Sequence, residues 1–163
     1  MASAASPGDY LPGATVVSAK NSNAPAVTRG KVMKWDTSND GYVTLSAAAN
    51  ELGPFAVCEK AAASGDINVS VVTAGRVFVT ADGTIEPGDL VESSASTAGE
   101  VITYAETSIA ATPTQANVQG AMREWRTVIG RYIGHVDEVA SNVAKTDAAD
   151  GDVICIALNV MNG

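Results

Sequence analysis

From Gly53 to Ser93 the chain changes direction every few residues. Ser64-Gly65-Asp66, Ala74-Gly75, Asp82-Gly83 and Pro87-Gly88-Asp89 fall at the spacing of tight turns. Between them, Ile67, Val69 and Val71 alternate with polar residues, and Val77 and Val79 alternate with Arg76, Phe78 and Thr80. A period of two sends successive side chains to opposite faces of a strand, and an apolar helical stripe is absent. So many turns in one stretch leave room only for short strands, and the expectation is an all-β fold.

The same pattern extends in both directions. Lys31-Val32-Met33-Lys34-Trp35 and Tyr42-Val43-Thr44-Leu45 read as a hairpin closed by Asp40-Gly41, whose glycine supplies the positive φ of a tight turn. Gly99-Glu100-Val101-Ile102-Thr103-Tyr104 and the segment from Thr127 to Val139 return to strand character. Val153-Ile154-Cys155-Ile156-Ala157-Leu158 is apolar on both faces, so both should be covered. Phe55, Ile67, Val69, Val77, Val79, Ile154, Ile156 and Leu158 are the residues expected to pack a core or a subunit contact. Ser46 to Leu52 is compatible with a short helix or a loop, and residues 121–126 with a helical turn or an edge strand.

At 163 residues the chain is long enough for one domain with its own core. Two segments stand apart from it. Residues 1–27 carry Pro7, Pro12, Pro25 and many small residues, and read as an extended N-terminal arm. Its apolar grip is limited to Tyr10, Leu11, Val16 and Val17, the candidates for contact with a partner surface through strand addition. Within the β domain, 28–163, residues at about 105–127 are polar and read as an excursion from the core. A weak internal repeat is also visible. Phe55 to Glu59 followed by Ala62-Ala63-Ser64-Gly65-Asp66 echoes Gly134 to Glu138 followed by Ala148-Ala149-Asp150-Gly151-Asp152, with Val139 to Thr146 inserted in the second copy. Two such units would form the two halves of a small barrel or sandwich.

Charge and reactive residues narrow the function. A net charge of −8 disfavours nucleic acid, whose phosphates would be repelled. No apolar run approaches the roughly 18 residues of a membrane span, and Met-Ala-Ser-Ala-Ala-Ser-Pro lacks the pattern of a secretion signal. The expected setting is a cytoplasm, with Cys58 and Cys155 as unpaired, buried thiols. His135 is the one histidine, and no serine elbow, phosphate loop or Cys-x-x-Cys accompanies it. No catalytic residues and no cofactor are expected. Asp36-Thr37-Ser38-Asn39-Asp40-Gly41 matches the opening of a calcium loop, but position twelve is Ala47 where a bidentate glutamate is needed, so a hairpin turn is the better reading and no metal is expected. Lys34 lies within a strand rather than at the exposed hairpin tip a carrier lysine requires.

Several motifs, in order, resemble a known family. They are Val27-Thr28-Arg29-Gly30-Lys31-Val32, Gly53-Pro54-Phe55-Ala56-Val57, Gly75-Arg76-Val77-Phe78-Val79, Gly83-Thr84-Ile85-Glu86-Pro87-Gly88-Asp89-Leu90-Val91, and Gly151-Asp152-Val153-Ile154-Cys155-Ile156-Ala157-Leu158. Across about 27–104 and 128–159 the chain resembles the capsid decoration, or cement, proteins of tailed bacteriophages. That resemblance implies a small β-barrel or β-sandwich, trimeric, with an N-terminal arm reaching neighbouring subunits. It implies a structural protein, not an enzyme, that binds the major capsid protein on the exterior of the virion and stabilises the shell after synthesis in the host cytoplasm. Partners would be the capsid and its own copies, with no nucleic acid and no membrane. The 105–127 excursion exceeds what the family core requires. A rival expectation is a virion-borne carbohydrate-binding or host-adhesion module, with Tyr104 and Trp125 as its aromatic platform.

Overall fold

The computed structural model describes residues 5–22, 26–49, 51–64, 68–106, 111–112, 114–124, 126–135, 138–139 and 143–158. Nine strands and one helix carry the fold among them: β1 (Thr15–Asn21), β2 (Val32–Trp35), β3 (Tyr42–Leu45), β4 (Phe55–Cys58), β5 (Asn68–Thr80), β6 (Leu90–Ser93), β7 (Val101–Thr103), α1 (Gln115–Glu124), β8 (Gly130–His135) and β9 (Val153–Leu158). The strand order is β1-β3-β2-β4-β5-β9-β8-β6-β7, and β1 also pairs with β5. That extra pairing closes β1, β3, β2, β4 and the first half of β5 into a five-stranded barrel. Closure removes the open edges that would otherwise invite aggregation.

β5 runs on beyond this barrel. Its second half, from Gly75 to Thr80, pairs antiparallel with β9, and β9, β8, β6 and β7 continue the sheet. Ala81 then bridges Val101 in parallel, and the Asp82 amide donates to the Val101 carbonyl at 2.8 Å. The sheet thereby closes a second time. The expected all-β barrel is present, but the repeat differs from its reading as two halves of one barrel: each copy is a barrel of its own, and one long strand serves both.

Many backbone bonds of the two barrels correspond. In barrel 1 the Ser22 amide donates to Val43 at 2.9 Å, as Asp82 does to Val101 in barrel 2. Gly30 donates to Cys58 at 2.8 Å and Cys58 to Lys31 at 2.9 Å; Gly88 donates to Tyr132 at 3.2 Å and Tyr132 to Asp89 at 2.9 Å. Val27 and Ala62 exchange both backbone bonds, as do Ile85 and Ala148. These correspondences set Val17 against Val77, Ala19 against Val79, Met33 against Val91, Val43 against Val101, Cys58 against Tyr132, Val69 against Ile154 and Val71 against Ile156. The first of each pair packs in one apolar cluster and the second in the other. Each barrel is therefore filled by alternate residues of its own strands. The register also differs from the sequence reading, which set Cys58 opposite Asp137.

Bulk is redistributed between the copies. Tyr132 in barrel 2 replaces the small Cys58 of barrel 1, and Gly130 replaces Ala56. A Cβ on Gly130 would come within 2.2 Å of the Ala157 carbonyl oxygen, so this closeness of β8 to β9 needs a glycine. The outer face of barrel 1 carries a second apolar row. Val32, Val57 and Val72 are fully buried there and join the cluster of barrel 2. At roughly 1.5–3 kcal/mol for each such side chain, this row adds to the shared β5 in holding the two barrels as one body.

Candidate interaction surfaces

The segment expected as an arm differs from that expectation in its described part. β1 lies antiparallel to β5 over Val16–Val72, Val17–Val71, Ser18–Ser70, Ala19–Val69 and Lys20–Asn68. Upstream, Gly8 donates to the Phe78 carbonyl at 2.6 Å, Phe78 to Asp9 at 2.9 Å and Leu11 to Arg76 at 3.0 Å, so residues 8–20 follow β5 past both barrels. Arg29 pairs with Asp9 and donates to the Glu59 carbonyl at 2.7 Å, fixing the start of the segment to the 28–30 turn. The physical reason is that a barrel strand needs only alternate apolar residues, and Val17 and Ala19 suffice. Of the four residues expected to contact a partner, Val17 turns toward the interior of barrel 1 and Leu11 is half-buried. Tyr10 and Val16 keep 43% and 37% of their surface exposed and remain available for contact.

Of the residues expected to pack, the seven that are described are buried. Phe55, Val77, Val79, Ile154, Ile156 and Leu158 lie in the cluster of barrel 2 and the barrel junction, and Val69 lies in barrel 1. Ile67 falls outside the described residues. Cys58 and Cys155 are free and buried, and burial raises both thiols, Cys155 to about 11. The side chain of Tyr104, 9% exposed, is not a platform for a ring-stacking ligand, and Trp125 lies outside the described residues.

The excursion contains α1. Thr114 opens it, its hydroxyl accepting the Asn117 amide at 3.3 Å, which is the bond an N-cap makes. Residues 115–120 are exposed, Val118 at 40%, and a Cβ on Gly120 would meet open space. The sequence hid the helix because its apolar residues form no continuous stripe.

At the other insertion a polar cluster surrounds His135. Its Nδ1 lies 3.0 Å from the Tyr132 hydroxyl, 3.3 Å from the Thr146 hydroxyl and 3.4 Å from Glu138 Oε2, while Nε2 lies 3.2 Å from Asp152 Oδ2. The Tyr132 hydroxyl donates to the Thr146 carbonyl at 2.8 Å. Glu138 accepts the amides of His135 and Thr146, each at 2.9 Å, and the Thr146 hydroxyl at 2.7 Å. The His135 amide first, then the Thr146 hydroxyl, lower this carboxyl to about 2. Asp152 is lowered mainly by the Ala149 amide, and burial followed by the nearby carboxylates pushes Tyr132 up to about 12. The histidine is thus a tie between β8 and the start of β9.

In the 36–41 turn, Asp36 accepts the Ser38 amide at 2.8 Å and the Asn39 side-chain amide at 3.1 Å. These bonds, the Asn39 one foremost, lower its carboxyl and make the segment a hairpin turn. Lys34, on β2, pairs with Glu51 at 2.6 Å. Carboxylate oxygens of Asp82, Glu100 and Asp150 lie within 4.8 Å of one another, but Lys31 of barrel 1 supplies a positive charge at 2.9 Å from Glu100, and Ser94 donates to Asp82.

Two grooves remain. One, of about 470 Å³, lies at an end of barrel 1 between Ser22, Lys34, Trp35, Thr37, Thr44 and Leu52. The other, of about 330 Å³, lies on barrel 2 between Leu90, Val128, Gly130, Arg131, Ala157 and Leu158. No helix among the described residues is long and apolar enough to cross a membrane.

No protein-family model and no curated protein matches the chain. Among solved structures it is similar to the head fiber gp8.5 N base in bacteriophage phi29, at 16% identity and a TM-score of 0.51, over 90% of this chain and 95% of that one. At that identity the likeness is one of fold.

Proposed function

We propose that the chain is a non-catalytic structural protein of a phage virion that decorates the outside of the capsid as a homotrimer and stiffens the shell. The observation that carries this reading is the likeness of fold, over nearly the full chain, to the base of a head fiber. The order of turn and strand motifs, which resembles capsid decoration proteins, supports it independently. The architecture suits the task. Two closed barrels share one strand and a buried valine row, which makes a stiff unit with few open edges. The one histidine is engaged by structural partners on both ring nitrogens. Tyr10 and Val16 on the N-terminal segment offer exposed apolar contacts for the major capsid protein. Three copies would multiply weak contacts through effective concentration, and the net charge of −8 keeps free copies soluble before assembly.

Co-sedimentation with purified capsids tests the reading. The full-length protein is expected to pellet with expanded capsids and to raise their resistance to heat or osmotic shock. Folded protein that stays in the supernatant with both expanded and unexpanded capsids would sink it.

A further inference from the structure

The two barrels meet through surfaces whose counterparts are open or only partly covered among the described residues. On barrel 1 the contact face is the valine row with Lys31 and Ser46. On barrel 2 it is the turn between β6 and β7. That turn is inserted: Val32 donates to the Gly99 carbonyl at 2.8 Å, Gly99 donates to Ser46 at 2.7 Å, and the Ser46 and Ser93 hydroxyls lie 2.6 Å apart. A Cβ on Gly99 would fall 2.7–2.8 Å from side-chain atoms of Lys31 and Leu45.

The repeat carries each of these surfaces over to the other barrel. The counterpart of the valine row is Leu90, Arg131 and Ala157, which line the 330 Å³ groove. The counterpart of the inserted turn is 36–41, and Gly41 has the φ of +75° that matches the +76° of Gly99. Residues 37–41 are exposed, and a Cβ on Gly41 would meet nothing within 4 Å. The charges are complementary as well: Arg131 lines the groove and donates to the Gly88 carbonyl at 2.8 Å, exposed Arg76 pairs with Ala157 in the sheet, and the turn carries Asp36 and exposed Asp40.

We propose that copies of this chain associate head to tail, the 36–41 turn of one seating in the Leu90–Ala157 groove of the next, as the chain's own two barrels do. Because the two surfaces lie on different barrels the contact is heterologous, and the trimer proposed above is the ring such a contact makes where the rotation between copies closes. The inference rests on the homo-oligomer proposed above and specifies the surfaces that build it.

Sedimentation velocity of the full-length protein in the absence of capsids tests it. The wild type is expected to be an oligomer, and Leu90→Arg to run at the mass of one chain with unchanged circular dichroism. Arg131→Glu and Asp40→Arg are each expected to weaken association at least tenfold, and the two together to restore it. This rescue keeps the test valid if Leu90→Arg fails to fold. An oligomer that none of these substitutions alters would overturn the proposed surfaces while leaving a homo-oligomer standing. A monomeric wild type would overturn the inference outright, and capsid binding is read separately by co-sedimentation.

Discussion

Gly41 and Gly99 hold the same backbone conformation in different surroundings, so they separate conformational strain from lost packing. Placing an alanine at φ near +75° costs roughly 1–2 kcal/mol from strain alone. Gly41→Ala is therefore expected to lower stability by about that much, since its Cβ meets open space. Gly99→Ala adds collisions with Lys31 and Leu45 at the barrel junction, and is expected to cost roughly 1–3 kcal/mol more. Urea denaturation of both variants checks the ordering; equal losses would mean that the junction yields freely. Glu138 supplies a second test. Its folded carboxyl is lowered to about 2 from an ordinary 4.5, so the stabilisation is complete above pH 4.5 and is lost as pH falls toward 2. Hydrogen bonds to a charged acceptor are worth roughly 1.5–3 kcal/mol each at most, and exposure reduces that. Glu138→Gln is expected to flatten the acid limb of thermal stability between pH 4.5 and 2. An unchanged slope in that window would rule out the carboxylate as the source.

At the scale of elements, the N-terminal segment and α1 exchange the roles that composition suggested. The proline-rich start is part of the sheet, because main-chain bonds to β5 need no large side chains. Removing residues 1–14 is expected to expose the edge of β5 beside Phe78 and lower the melting temperature by several degrees. A truncated protein that melts with the full-length chain would show that residues 8–11 contribute nothing. α1, by contrast, lies within an insertion that barrel 1 lacks, and residues 115–120 stay in solvent. Helices hold in proteins mainly by burying an apolar face, so α1 is the element expected to exchange its amide hydrogens first.

For the whole molecule, the shared β5 is decisive. Each barrel is incomplete without a strand that continues into the other, and the valine row of barrel 1 packs in the cluster of barrel 2. Tandem units joined this way cannot unfold one at a time without exposing the row. Calorimetry is expected to show one transition, with the calorimetric and van't Hoff enthalpies equal. Two resolved transitions would mean that the barrels are independent. The fold of the phi29 head fiber base is the reference for the architecture.

The sequence alone determined most strands and which of their faces are apolar, because alternation acts locally, but it missed β1 and set a turn at Ala74-Gly75, where β5 runs straight through as one 13-residue strand that both barrels use. Val77, Val79, Ile154 and Ile156 are buried as their spacing requires, and the 36–41 turn is a hairpin as Asp40-Gly41 requires. The register of the repeat was not legible in the sequence, since identities such as Gly41 with Gly99 and Val43 with Val101 are scattered and most other positions keep side-chain direction rather than identity, as when Cys58 is replaced by Tyr132. Only the tertiary structure decided that each copy closes on itself and that β5 belongs to both. Closure depends on bonds between residues far apart in the chain, Ala81 with Val101 and Val16 with Val72, and no local pattern specifies them.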